Sequence, residues 1–256
     1  MKPGIVYSAA SGLIEKEYRS TRGAGECFAL LTSNTYAEPI NVSEIWLDGD
    51  AAPITLEGCD TLIFIREGSA TLHIDSEKYD LTEKTAALVK SGSTFNWLSG
   101  KGLKAVEISI PDKTFPYSRK NTVEASNYTP VVKQGAMPTG DATGNRQFEV
   151  LYSAANGSGS ATMFVGFIPT SGAPDHYHLY DEVCHIVQGG GELHVGDSVQ
   201  KIEAGSTFVV SPRLLHSIRN NREEDLWILG TFRPAGSPAA AYYPDGRPAP
   251  GYSETE

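Results

Sequence analysis

The sequence is poor in cysteine, histidine and basic residues, and it has no long apolar segment. Its three cysteines, Cys27, Cys59 and Cys184, are widely spaced and form no CxxC pair, so neither a disulfide framework nor a thiolate zinc site is indicated. The N-terminus has no apolar signal core, and no stretch approaches the roughly 20 apolar residues that span a bilayer. We therefore expect a cytoplasmic protein with reduced thiols and no membrane partner.

Basic residues are outnumbered, because 21 Lys and Arg stand against 31 Asp and Glu, which gives a formal net charge of -10 at pH 7. This charge repels a phosphate backbone, and no cluster of Lys or Arg reverses it locally. Nucleic acid is therefore excluded, and a small molecule is the expected partner. A homodimer is compatible with the sequence, although no residue singles out an interface.

Long amphipathic helices are also lacking. Short runs rich in β-branched and aromatic residues recur instead between turn residues, for example TLIFIREG from Thr61, EVCHIVQG from Glu182 and DLWILGTF from Asp225. The 26 glycines and 15 prolines suit the tight turns between such runs. The pattern predicts an all-β sandwich or barrel.

An internal repeat divides the chain into two parts. A shift of 121 positions places the segment from Thr61 on the segment from Glu182 without a gap, so that Gly68 meets Gly189. The same register aligns apolar positions through several more strands, which is hard to obtain by chance in unrelated domains. We predict two copies of one β fold, in domains 1–125 and 126–256, around a linker rich in Gly, Pro, Ser and Thr.

Four side chains in the second half have the chemistry and spacing of metal ligands. His176, His178 and Glu182 share the parity of an extended strand and can converge inside a barrel, and His216 lies where a neighbouring hairpin would return. Three imidazoles and one carboxylate suit Fe or Mn, with Ni, Cu or Zn as alternatives. We predict one divalent transition metal ion per chain.

These residues resemble the motifs of the cupin superfamily. The first motif is matched by His176, His178, Glu182 and Gly189, and the second by Pro212, His216 and Asn220. The resemblance implies a bicupin, with two tandem double-stranded β-helix (jelly-roll) barrels. Two residues depart from the pattern, since Thr170 and Arg213 stand where the family usually has glycine.

The first copy lacks the metal ligands. The repeat places Thr55, Glu57, Thr61 and Phe95 at the positions of the four ligands, and a single carboxylate without imidazoles is a poor site for a transition metal. We therefore expect the N-terminal domain to bind no metal.

Two further residues are predicted to take part in the chemistry. Tyr180 shares the parity of the ligands, so it can donate a hydrogen bond into the cavity or form its wall. Arg213, on the loop that carries His216, can pair with a substrate carboxylate. The alternative for Arg213 is a solvated loop residue. The parity of the strand also turns Cys184 inward and His185 outward.

The fold alone does not define a function, because the cupin superfamily includes enzymes, storage proteins and sensors. We predict a dioxygenase-type oxidoreductase that acts on a small, oxygen-rich, anionic molecule, with Glu182 as ligand and base and Arg213 as the group that orients the anion. Two alternatives stay open. One is a non-redox isomerase, lyase or hydrolase, and the other is a binding protein in which the metal only stabilises the barrel.

Overall fold

The structure is a computed structural model that describes residues 3–8, 19–32, 40–112, 124, 126–170 and 172–249. Within these residues the protein is nearly all β, with antiparallel strands in three sheets and one short 3-10 helix, Ala154–Asn156. None of the described helices is long and apolar enough to cross a membrane. The predicted all-β fold of the jelly-roll type is confirmed.

The largest sheet is formed mainly by the first half of the chain. It has nine strands in the order β10-β8-β6-β9-β4-β3-β2, with β5 paired to β9 and β7 paired to β6. Its strands are β2 (Arg19–Arg22), β3 (Gly25–Leu31), β4 (Asn41–Gly49), β5 (Ile54–Thr55), β6 (Cys59–Ile74), β7 (Glu77–Thr82), β8 (Thr85–Val89), β9 (Thr94–Pro111) and β10 (Val131–Lys133).

The second half of the chain forms most of a seven-stranded sheet and a three-stranded sheet. The seven strands have the order β1-β17-β14-β19-β13-β12-β11, and the three have the order β16-β15-β18. Their bounds are β1 (Tyr7–Ser8), β11 (Thr139–Ala142), β12 (Arg146–Tyr152), β13 (Thr162–Ile168), β14 (Asp181–Gln188), β15 (Gly190–Val195), β16 (Ser198–Glu203), β17 (Ser206–Val210), β18 (Ser217–Arg219) and β19 (Leu226–Arg233).

The two halves exchange short strands. Strand β1, from the N-terminal end of the chain, pairs with β17 in the second half, with Tyr7 opposite Thr207. Strand β10 pairs with β8 in the first half, with Val131 opposite Ala87. Strand β1 therefore comes from the first half of the sequence but lies in the sheet of the second half. Strand β10 comes from the second half but lies in the sheet of the first.

The internal repeat is visible in the backbone. Residues with positive φ recur 121 positions apart, as the repeat in the sequence predicts. A positive φ marks a tight turn or a bulge, so these features are shared by the two copies. Gly68 and Gly189 have φ of 73° and 75°, and Gly92 and Arg213 have φ of 82° and 64°. Two further pairs follow the same rule, Asp75 with Gly196 and Lys84 with Gly205.

Three apolar clusters hold these sheets together, because side chains alternate between the two faces of each strand. One cluster fills the first barrel around Ile63 and Trp97. Another fills the second barrel around Phe208 and Ile228. The third lies between the barrels, where residues of both large sheets pack face to face, among them Leu62, Phe64, Val106, Val183 and Val209.

Candidate metal centre

Three histidines meet inside the second barrel. His176, His178 and His216 each offer a ring nitrogen, and these atoms lie within 4.8 Å of one another. Backbone hydrogen bonds in both directions, of 3.0 and 2.9 Å, join His176 to His216 and fix their spacing. The rings are buried, with side chains only 3%, 4% and 1% exposed. Among the described residues, these form the one group of three or more side chains arranged to hold a metal ion.

The three rings present the same nitrogen to the centre. In each ring Nδ1 donates to a backbone carbonyl, that of Pro174 for His176 (2.8 Å), Ala240 for His178 (2.8 Å) and Leu214 for His216 (2.9 Å). This fixes the tautomer and leaves the Nε2 lone pair free for a metal. Burial is also the main cause that lowers the pKa of His176 and His178, which keeps these rings neutral.

Glu182, on β14, completes the cluster. Its Oε2 lies 3.5 Å from Nε2 of both His178 and His216. Although this oxygen is buried, it has no hydrogen-bond partner in the part of the chain that the structure describes. Burial raises the pKa of this carboxyl, but its polar neighbours His178, His216 and Cys184 together bring it below the ordinary value, so the group is ionised. A buried, ionised oxygen without a partner is costly unless a cation offsets it. The donor set therefore fits a divalent metal ion bound by three imidazoles and one carboxylate.

A small cavity opens beside these four side chains. Its volume is about 30 Å³, and Phe164, Ile228 and Phe232 supply apolar walls. A volume of that size admits one or two water molecules or the head of a small ligand. The cavity also contains a cationic side chain, Arg146, from the start of β12.

Arg146 is half-buried, and its Nε donates to the carbonyl of Thr143 at 2.7 Å. Burial lowers the pKa of its guanidinium, and Glu182 opposes this effect. Arg146 was not predicted from the sequence, because it lies 30 positions before the first histidine of the motif and belongs to no motif. The available signal was its parity, which it shares with the inward-facing Phe148 of the same strand.

Arg213 lies elsewhere. Its side chain is exposed, and it is not among the residues that line the cavity. Its backbone contributes instead, because Arg213 N–H donates to the carbonyl of His178 at 2.8 Å. The cation that faces the metal cavity is therefore Arg146, and a contact between Arg213 and a substrate stays a prediction that this geometry does not support.

Tyr180 supports a ligand rather than lining the cavity. Its ring stacks on His178, with ring centroids 5.4 Å apart and planes inclined by 12°. Its hydroxyl donates to the carbonyls of Ser237 (2.6 Å) and Ala240 (3.0 Å). Because Ala240 also accepts the hydrogen bond from His178, one carbonyl joins the tyrosine and the metal ligand.

Cys184 faces inward as predicted and is fully buried. Burial, followed by the neighbouring Glu182, raises the pKa of its thiol well above the ordinary value. The thiol therefore stays protonated and is a poor nucleophile.

The matching part of the first barrel is filled by protein groups. Two guanidinium nitrogens of Arg22 donate to Glu107 at 3.0 and 2.5 Å, and Nε1 of Trp97 donates to the same carboxylate at 2.8 Å. The guanidinium also lies 5.5 Å from the ring of Phe95, the residue aligned with His216. The carboxylate there already has cationic and neutral donors, so it does not require a metal.

A comparison with protein families finds one match in the second half of the chain. The cupin domain family matches residues 163–231, which include all four candidate ligands. No curated protein matches the sequence.

Similarity to solved structures extends over most of the chain. Protein Ylba from E. coli superimposes with a TM-score of 0.71 at 11% identity, over 91% of this chain and 92% of that one. A variant of oxalate decarboxylase from Bacillus subtilis gives 0.69 at 13% identity, over 91% and 78%. AerE from Microcystis aeruginosa gives 0.64 at 10% identity, over 85% and 99%. Residues 163–231 therefore match the cupin domain family, and the chain is similar in fold to these proteins.

Proposed function

We propose that this protein is a metal-dependent enzyme whose substrate is a small organic anion that binds beside the metal. One observation carries the proposal: three imidazoles converge with an ionised carboxylate, whose Oε2 has no hydrogen-bond partner among the described residues, in a buried cavity that also contains the guanidinium of Arg146. Perturbed ionisable groups that converge in a closed cavity are typical of catalytic sites.

His176, His178, Glu182 and His216 would hold the metal, which when bound supplies Lewis acidity and exchangeable coordination positions. Arg146 orients the anion, since a guanidinium forms paired hydrogen bonds with a carboxylate. Phe164, Ile228 and Phe232 exclude bulk water and so strengthen these interactions. Oε2 of Glu182 is the atom placed to accept a proton from the substrate.

For the reaction we retain the dioxygenase-type oxidation proposed from the sequence, with iron or manganese as the metal. The second candidate is an oxygen-independent reaction such as decarboxylation. Several structures of similar fold are of oxalate decarboxylase, and one of them concerns its Mn(II) centres. For the second candidate, this similarity favours manganese as the metal and a small carboxylate as the substrate. Both candidates need the same site.

Elemental analysis of the purified protein tests the site. We expect one tightly bound transition metal per chain and none in the variant with both His176→Ala and His178→Ala. Two metals per chain, or unchanged metal content in the variant, would contradict the assignment.

Turnover of a panel of small carboxylates, measured with and without oxygen, then separates the reactions. Oxygen uptake with iron supports the oxidation. Turnover at the same rate without oxygen supports the second candidate, whereas full metal content without any turnover or binding would refute the enzyme proposal.

A further inference from the structure

A second, larger cavity lies beside the metal cavity. Its volume is about 550 Å³, compared with about 30 Å³ beside the metal. The two cavities share Phe148 and Pro238 as lining residues, so they lie side by side at the mouth of the second barrel. We call the larger one the outer chamber. Its volume falls within the range of ligand-binding pockets, whereas the cavity beside the metal, which we call the inner cavity, admits only the head of a small ligand.

Three segments form the walls of the outer chamber. Strand β12 supplies Phe148 and Val150, the 3-10 helix Ala154–Asn156 forms another side, and residues 235–238, which follow β19, close the third. Met137 completes the rim. Most of the side chains on these walls are apolar.

The polar side chains of the walls are already used within the protein. Ser153 accepts a hydrogen bond from Ala155 N–H at 3.3 Å. Asn156 accepts from Ser153 N–H (2.8 Å) and donates to the carbonyl of Leu151 (2.7 Å). Thr162 accepts from Gly236 N–H at 3.1 Å. Because these groups have partners, the chamber offers its ligand mainly apolar contact.

The walls are also held in place. Glu149 is buried, and its carboxylate accepts from the backbone N–H groups of Gly135 (2.8 Å) and Met137 (3.0 Å). The ring of Phe148 lies against Gly140, where a Cβ atom would stand only 2.7 Å from the ring. A preformed chamber loses less affinity to ordering when it binds a ligand than a flexible one does.

We propose that the outer chamber binds the apolar part of an elongated substrate whose anionic head binds in the inner cavity. This inference rests on the proposed function, because it assigns the head to the metal and Arg146. The substrate class is then a carboxylate with an adjacent oxygen and an alkyl or aryl chain. The inner cavity alone would select only the smallest acids.

A series of 2-oxo carboxylates of increasing chain length tests the proposal on the wild-type protein. Pyruvate, 2-oxobutyrate, 2-oxohexanoate and 2-oxooctanoate are titrated into protein loaded with Mn(II), and water-proton relaxation and calorimetry report binding. We expect the Kd to fall by about two- to fourfold for each added methylene group, as burial of apolar surface predicts. A Kd that is independent of chain length would overturn the inference.

A large side chain that fills the outer chamber should remove the gain in affinity with chain length. Ala154 lies on the wall and is half-buried, so the side chain of Ala154→Trp would occupy the chamber. The matched control is Ala52→Trp, an exposed position in the loop between β4 and β5. We expect Ala154→Trp to weaken 2-oxooctanoate at least tenfold and to leave pyruvate and metal content unchanged, whereas the control changes neither ligand. Equal effects in the two variants would contradict the proposal.

The outcomes separate the two proposals. If pyruvate binds but longer chains gain nothing, the outer chamber is not part of the substrate site, and the proposed function stands. If no carboxylate alters the relaxation signal, the anion site beside the metal is wrong, and this inference falls with it. If Ala154→Trp does not fold, as thermal melting would reveal, Ala154→Leu repeats the comparison with a smaller side chain.

Discussion

At the scale of the residue, hydrogen bonds donated by ring nitrogens determine the chemistry of the candidate site. Each of the three histidines donates through Nδ1 to a backbone carbonyl. All three therefore turn Nε2 toward the centre of the cluster. Glu182 adds a carboxylate oxygen that has no other partner. The site is prepared for a metal by the backbone around it as much as by the four side chains.

Two arginines provide a matched test of anion binding. Arg146 lines the metal cavity, whereas Arg213 is exposed outside it. We expect Arg146→Gln to weaken binding of a 2-oxo carboxylate by 10-fold or more, because a charged hydrogen bond contributes about 1.5 to 3 kcal/mol. Arg213→Gln should leave the Kd unchanged. Calorimetry on protein with verified metal content distinguishes the two, and equal losses would remove Arg146 from its assigned role.

His185 predicts a pH dependence of stability. It is fully buried, and its Nδ1 lies 2.8 Å from the hydroxyl of Thr207 on the neighbouring strand β17. Burial, followed by Arg66, lowers its pKa to about 3. Since the unfolded chain binds a proton near the ordinary pKa of about 6.5, the unfolded state gains protons first as the pH falls. The folded protein therefore loses stability between about pH 6.5 and pH 3.

The variant His185→Asn should lack this contribution, because an amide can replace the Nδ1 hydrogen bond but does not titrate. We expect the free energy of unfolding of the wild type to fall relative to the variant over that range, by up to about 1.4 kcal/mol per pH unit. Urea titrations at several pH values measure both proteins. Parallel stability curves would show that His185 is not held neutral by its surroundings.

The segment after β19 is the element that links the fold to the site. Residues 235–238 line the outer chamber, and the carbonyl of Ala240 accepts from both His178 and Tyr180. The segment thus orients a metal ligand and forms part of the pocket wall. The sequence contains no signal for a contact of this segment with a ligand, because a carbonyl 62 positions from its histidine leaves no local pattern.

Removal of one hydroxyl tests this linkage. Tyr180→Phe keeps the ring stacked on His178 but removes the donor to Ser237 and Ala240. We expect metal affinity to fall by up to about 10-fold, the lower end of the effect of removing a direct partner of a ligand, because the Ala240 carbonyl still accepts from His178 but is held less firmly. Tyr177→Phe is the control, because that ring stacks on Tyr242 and is turned away from the ligands. Competition with a chelator measures the affinity, and identical values for the two variants would contradict the linkage.

The predicted strand through the ligands was right in its alternation and too long in its extent. His176 and His178 are buried and Leu179 is exposed, as an extended chain requires. However, β14 begins only at Asp181. His176 forms an isolated bridge with His216, and the carbonyl of His178 accepts from Arg213 N–H. Parity is a local property that the sequence contains, whereas the partner of each backbone group depends on tertiary neighbours.

The repeat made the architecture predictable at the scale of the whole molecule. Four pairs of residues with positive φ recur at its spacing, and Arg213 takes the place of Gly92 at one of them. The repeat also indicated that the first barrel has no histidine cluster, and Arg22 and Trp97 both donate to Glu107 there. The exchange of β1 and β10 was not predictable, because strands of two and three residues have no periodicity of their own.

The two halves should depend on each other for folding. Their large sheets share one apolar cluster, in which Val183 and Val209 of the second half pack with Leu62 and Val106 of the first. The second half also receives β1, and Gly4 N–H donates to the carbonyl of Val209 at 2.7 Å. A fragment without the first half would expose this face and an unpaired edge of β17.

We therefore expect a fragment of residues 140–256 to aggregate when it is produced alone, even though it contains all four candidate metal ligands. Co-expression with residues 1–139 as a separate chain should restore a soluble complex with one metal, because it returns both the apolar partner face and β1. Size-exclusion chromatography with elemental analysis measures the two outcomes. A soluble, monomeric fragment with full metal content would show that the shared cluster is not needed and that the second barrel folds independently.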